Sequence, residues 1–165
     1  MAVSQNSIGN TGENLAQLRL SKHGVFNVYF LGEKAPIEDI LIEINDETNP
    51  YQALVQVKAT NATNRYNKGN GAMKTPVPDK KLTKLWNRPI PTYVMGVDLV
   101  DELVYIAPAY QKEGKYPSIP NRLKIDNKVI ANDIAALNKL KEDIINYYQS
   151  HKIPQHKQNY KSLIP

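Results

Sequence analysis

Cysteine is absent from this chain, which excludes disulfide cross-links, thiol nucleophiles and cysteine-ligated zinc and suits a cytoplasmic location. No apolar run approaches the roughly 20 residues that span a bilayer. The first seven residues have neither the basic start nor the apolar centre of a secretory leader. No glycine-rich loop ends in the Gly-Lys-Ser/Thr that cradles nucleotide phosphates, and no serine stands in a nucleophile elbow. Histidine is scarce. His23 precedes Gly24 at the end of a predicted helix and reads as a C-cap. His151 and His156 fall in a basic tail without partner carboxylates, so they are not read as zinc ligands. What remains is 165 residues, 41% hydrophobic and 22% charged, which fits one soluble globular domain with a real core. That domain is expected over 11–150, after a flexible, polar stretch at 1–10 and before the tail at 151–165.

Charge is distributed unevenly. Residues 1–57 carry seven acids and three bases, a net −4, whereas residues 58–88 carry eight bases and one acid, Asp79, a net +7. The bases after Lys58 are Arg65, Lys68, Lys74, Lys80, Lys81, Lys84 and Arg88. Such a cluster is the electrostatic footprint of a nucleic-acid partner, and these seven are the candidate backbone-phosphate contacts. Tyr66, Tyr110 and Tyr116 lie in or near loops where they could stack on bases. Tyr93 and Tyr105 sit within strands and read as structural.

The order of elements follows from periodicity and turn signals. A helix is predicted from Thr11 to Lys22, with Leu15, Leu18 and Leu20 on its apolar side. Strands follow at Val25–Phe30, Asp39–Ile44 and Tyr51–Thr60, the last two joined by the turn formers of 45–50. A polar, Gly-containing loop spans 61–78. Asp79 caps a short helix through Trp86, and strands are predicted at Thr92–Val97 and Glu102–Ala107. Apolar residues spaced by three and four from Ile130 to Gln149 predict a closing amphipathic helix.

Two of these strands carry polar groups that a core strand does not need. Asp39 opens the second, and Gln56 and Lys58 share one face of the third, because side chains alternate along a strand. Paired as a hairpin, the two strands bring a carboxylate, an amide oxygen and an ammonium to one end of a sheet. A carboxylate and an amide oxygen suit a hard divalent cation, and an ammonium suits a phosphate. Glu43 shares the face of Asp39 further along and is a weaker candidate.

Glu13, Asp39 and the triplet Gln56-Val57-Lys58 occur in the order found in the PD-(D/E)XK superfamily, which this chain resembles. In that restriction-endonuclease-like family an Asp begins the second strand and an acidic-x-Lys triplet lies on the third. Here Glu38 stands where Pro is usual before the Asp, and Gln56 where an acid is usual. Mrr-type restriction enzymes carry the same Gln-x-Lys variant. The run Val-Gln-Val-Lys-Ala-Thr and the later Pro89-Ile90-Pro91-Thr92-Tyr93-Val94…Asp98 also resemble an uncharacterised group of prokaryotic and phage nuclease-like domains, over roughly residues 11–110.

The resemblance implies an αβββαβ core with a mixed central sheet flanked by helices, extended here by a strand and a helix. It implies an endonuclease activity on DNA that depends on Mg²⁺ or Mn²⁺. Asp39, Gln56 and the Val57 carbonyl would be metal ligands, with Glu13 ligating directly or through water, and Lys58 would meet the scissile phosphate. Cutting both strands of a duplex with one site per chain is simplest with two chains, which points to a homodimer. The alternative, supported by the neutral Gln56, is an inactive nuclease fold that binds nucleic acid or a protein partner in a phage, mobile-element or defence system.

Overall fold

The computed structural model describes residues 4–32, 38–109 and 118–150. The chain runs α1 (Gln5–Ser21), β1 (Phe26–Phe30), β2 (Ile40–Ile44), β3 (Gln52–Thr60), α2 (Asp79–Trp86), β4 (Thr92–Asp98), β5 (Leu103–Pro108), β6 (Leu123–Ile125) and α3 (Ile130–Ser150). It is a mixed α/β fold. The six strands form one sheet in sequential order, β1 to β6. Only β3 and β4 run parallel, as the α2 crossover between them requires; the other neighbours are antiparallel.

Both faces of the sheet are covered. On one side Val55, Val57, Met95 and Val97 pack with Ala16 and Leu20 of α1 and with Leu137, Leu140 and Ile144 of α3. On the other, Val94, Tyr105 and Ala107 pack with Leu82 and Leu85 of α2 and with Met73, Val77 and Ile119. The seven residues of β4 are all buried, as expected for a strand covered on both faces.

α1 starts earlier than its sequence pattern suggests. Ser4 caps it by accepting from the Ser7 amide at 3.1 Å, so residues 5–10 are helical instead of frayed. Its buried positions are Gly12, Ala16, Arg19 and Leu20, spaced by three and four, whereas Leu18 is 61% exposed and is not part of the stripe. The helix closes at Lys22, with Gly24 at φ +70° following; His23 is not the cap. Nor does Asp79 cap α2: the cap position is Pro78, with no side-chain bond. The short strand β6 was not foreseen. Tyr110, Tyr116, His151, His156 and the tail lie outside the described residues.

The contact that matters most for the site is between α1 and β3. A Cβ on Gly12 would come within 2.4 Å of Ala59 Cβ, so the helix touches the strand with no side chain between them. Arg19 fixes the far half of α1 by donating from Nε and Nη2 to the Glu102 carbonyl at 3.2 and 2.9 Å. These two attachments set the position of Glu13.

Candidate active site

β3 is longer than its antiparallel neighbour. Its pairing with β2 ends at Ile40↔Val55, while its pairing with β4 continues to Thr60↔Asp98. Backbone groups of Val57 that face the β2 side therefore meet a gap in the sheet. Asp39, the residue just before β2, fills it. Its amide donates to the Val55 carbonyl at 3.0 Å, and its Oδ2 accepts from the Val57 amide at 2.8 Å and from Gln56 Nε2 at 2.7 Å. Gln56 Nε2 also donates to the Val57 carbonyl at 3.2 Å. The carboxylate thus continues the ladder where the strand stops.

Gln56 and Lys58 project from the face of β3 that carries α2, and Glu13 comes from α1 on the opposite face. The gap beside β3 lets them meet. The Glu13 carboxyl is a hydrogen-bonding neighbour of Asp39, and Lys58 and Lys81 add their charges to the same carboxylate. Burial pushes Asp39 above the usual carboxylate range, opposed by the Val57 amide, the two lysines and Glu13. Burial likewise lowers Lys58, helped by the neighbouring Lys81 ammonium and opposed by Asp39. Opposed shifts of two adjacent groups are a mark of functional sites.

No family model, curated protein or solved structure matches this chain.

The donor set can be tested for a divalent cation from the geometry. Gln56 is 3% exposed, and its Oε1 is buried without a hydrogen-bond partner. A buried orphan acceptor costs about 1–3 kcal/mol. Its amide NH₂, meanwhile, faces two acceptors, Asp39 Oδ2 and the Val57 carbonyl, and so stands where a cation would be held. A half-turn of the amide would aim Oε1 at the same point, giving three protein oxygens, with Glu13 adjacent. Hard oxygen ligands of this kind fit Mg²⁺, which keeps several waters. Among the described residues no three of His, Cys, Asp and Glu come together, so the site has two carboxylates and relies on neutral oxygens for the rest.

The remaining sequence candidates separate. Glu43 is used elsewhere, its Oε2 accepting from Gln52 Nε2 at 2.8 Å. Arg65 is ion-paired with Asp98 at 2.6 Å and with Asp101 at 2.8 Å. Tyr66 also donates to Asp98, and its ring lies 5.7 Å from that of Tyr105. Asp98 is fully buried and further accepts the amides of Val100 and Asp101. Arg65 and Tyr66 therefore moor the 61–78 loop to the end of β4. Arg88 is paired with the buried Glu38, which ties the end of α2 to the residue before Asp39. Lys68, Lys74, Lys80 and Lys84 are exposed. Tyr93 is structural, as its strand position implied: it is 3% exposed and donates to Asp143.

Two features escaped sequence reasoning. Lys81 lies against Lys58, and only the packing of α2 reveals it. Thr75 is 4% exposed with an unpartnered Oγ1. It lies over Gly96, the register partner of Lys58, where a Cβ would come within 3.2 Å of that hydroxyl. Two cavities of about 510 and 620 Å³ open near Tyr93, Pro108 and Asp143. Neither is lined by Glu13, Asp39, Gln56 or Lys58, so the candidate site lies outside both.

Proposed function

We propose that this protein is a metal-dependent nucleic-acid phosphodiesterase, an endonuclease acting on DNA, of the PD-(D/E)XK type with a restriction-endonuclease-like core. One observation carries the reading. Glu13, Asp39, Gln56 and Lys58, far apart in sequence, meet where β3 outruns β2, with a buried acceptor of Gln56 left without a partner. The element order αβββαβ from α1 to β4 and the basic segment after Lys58 support it, though fold likeness alone would not assign an activity.

Asp39, the Gln56 amide oxygen and the Val57 carbonyl would hold Mg²⁺ or Mn²⁺, with Glu13 ligating directly or through water. When bound, that ion supplies charge stabilisation and a more acidic water. The chain's own groups do the rest. Lys58 holds a non-bridging oxygen of the scissile phosphate and offsets charge as it develops. Glu13 orients the attacking water by accepting its hydrogen bond. The water oxygen forms a bond to phosphorus as the bond to the leaving oxygen breaks, giving a phosphate monoester and a hydroxyl. The proton lost by the water goes to bulk solvent, and the leaving oxygen takes one from solvent.

A second reading is favoured by the count of acids: two carboxylates and a neutral Gln56 suit a fold that binds nucleic acid without cutting it. Nicking of supercoiled plasmid separates the two. With Mg²⁺ or Mn²⁺ the wild type is expected to nick, and Asp39→Ala and Lys58→Ala each to lose the activity. Absence of cleavage on plasmid, single-stranded DNA and RNA would leave the binding reading, and cleavage that survives Asp39→Ala would overturn the assignment of this site as its source.

A further inference from the structure

α2 carries three lysines that behave differently. Lys80 and Lys84 are exposed, whereas Lys81 is half-buried and lies against Lys58, within Coulombic range of Asp39. Two ammonium groups held side by side repel; Asp39 offsets part of that repulsion, and a bound anion would offset more of it. The arrangement is not a loose side chain's accident. Leu82 and Leu85 are buried in the core beneath α2, and Arg88, beyond the helix end, is paired with Glu38 next to Asp39. The helix is therefore fixed on the site side of the sheet with Lys81 facing it.

Charge accounting points the same way. Glu13 and Asp39 contribute two negative charges, Lys58 and Lys81 two positive ones, and Gln56 none. A divalent cation raises the total to +2, the complement of the doubly negative state formed as a hydroxide adds to a phosphodiester. Without Lys81 the total falls to +1. The amide at position 56 and the lysine at position 81 thus shift the site in one direction, away from cation affinity and toward anion affinity.

We propose that Lys81 is a second ligand of the scissile phosphate, taking one non-bridging oxygen while Lys58 takes the other, so that the phosphate parts the two ammonium groups. This rests on the phosphodiesterase reading above and extends it to a residue outside the motif. Lys81 acts at the reacting phosphate, whereas Lys80 and Lys84 meet only neighbouring backbone.

The test is steady-state cleavage of a DNA substrate by full-length variants, with lysine-methylene NMR of the same proteins. Lys81→Ala should lower kcat by about tenfold or more with little change in KM, the pattern of an interaction made in the transition state. Lys81→Arg should recover most of it. Lys80→Ala and Lys84→Ala should change KM alone. Titrating inorganic phosphate with Mg²⁺ present should move the Lys58 and Lys81 signals together and leave those of Lys80 and Lys84 in place. A Lys81→Ala profile like that of Lys80→Ala, with cleavage intact, would overturn the proposal and leave the phosphodiesterase reading standing. If the wild type cuts nothing, that reading falls and the NMR arm decides. A Lys81 signal that ignores phosphate then overturns the proposal, and one that moves with Lys58 keeps Lys81 as an anion ligand of a binding site.

Discussion

Asp39→Asn separates a carboxylate kept for chemistry from one kept for the fold. The oxygen that accepts from Val57 can be retained by the asparagine amide. Gln56 Nε2 donates to that same oxygen, so its bond survives as well. Against this, two charge-assisted bonds become neutral ones, a loss of about 1 kcal/mol each. Burial already raises Asp39 above its ordinary value of 3.8, so its surroundings favour the uncharged form, which the amide mimics. The balance predicts that D39N is as stable as the wild type in EDTA at pH 7, or more stable by about 0.5–2 kcal/mol. That is about 2–4 °C in Tm per kcal/mol for a chain of this size.

The pH dependence has a definite sign. Between 3.8 and its raised folded value, Asp39 binds more protons folded than unfolded, so wild-type stability falls as pH rises through that window. The D39N advantage should therefore open as pH rises from below 3.8 to neutrality. Adding Mg²⁺ should reverse the order. A ligand at 100 times its Kd stabilises the wild type by about 2.7 kcal/mol, and D39N should gain nothing. Urea denaturation with and without Mg²⁺ measures all three effects. A D39N variant destabilised by more than about 1 kcal/mol in EDTA, and equally so in Mg²⁺, would show that Asp39 serves to finish the β3 ladder and holds no metal.

Other expectations follow from neighbouring contacts. Gln56→Glu places a second carboxylate against Asp39 Oδ2; it should cost about 1–3 kcal/mol in EDTA and bind Mn²⁺ more tightly than the wild type, which calorimetry measures. Asp98→Ala removes the acceptor of Arg65 Nε, Tyr66 and two backbone amides at once, leaving Arg65 its pair with Asp101; a loss of at least about 1–3 kcal/mol and earlier proteolysis in the 61–78 loop are expected. Gly12→Ala should cost about 1–3 kcal/mol by overpacking and lower activity beyond that loss, because it displaces Glu13. Unchanged urea midpoints would contradict the contact.

The sequence was most legible where one residue's neighbours decide its state. Alternation gave five of the six strands to within a residue or two, and the three-and-four spacing from Ile130 gave α3. β6 escaped because three residues carry too little pattern. The start of α1 escaped because Ser4 to Asn10 is nearly all polar or glycine, and a single cap bond sets the boundary. Asp39, Gln56 and Lys58 were legible because strand alternation and a hairpin suffice to gather them. Glu13 was reachable only through the family order, and its position depends on a helix-to-strand contact that no local pattern encodes. Arg65 and Tyr66 looked like surface groups for a nucleic acid, yet serve the buried Asp98; a charge count cannot tell a solvated arginine from one answering a hidden carboxylate. Lys81 was counted with Lys80 and Lys84, and only the orientation of α2 separates them. No helix among the described residues is long and apolar enough to cross a membrane.

The bare contact between Gly12 and Ala59 makes two distant positions share a single allowance of volume. A methyl added at 12 can be given back only at 59, so Gly12→Ala combined with Ala59→Gly should recover much of what the first change loses, although neither residue bears a reactive group. Relatives of this chain would be expected to exchange small side chains between these two positions in concert. The spacing of the Glu13 and Asp39 carboxylates would then be conserved through residues that never touch a substrate.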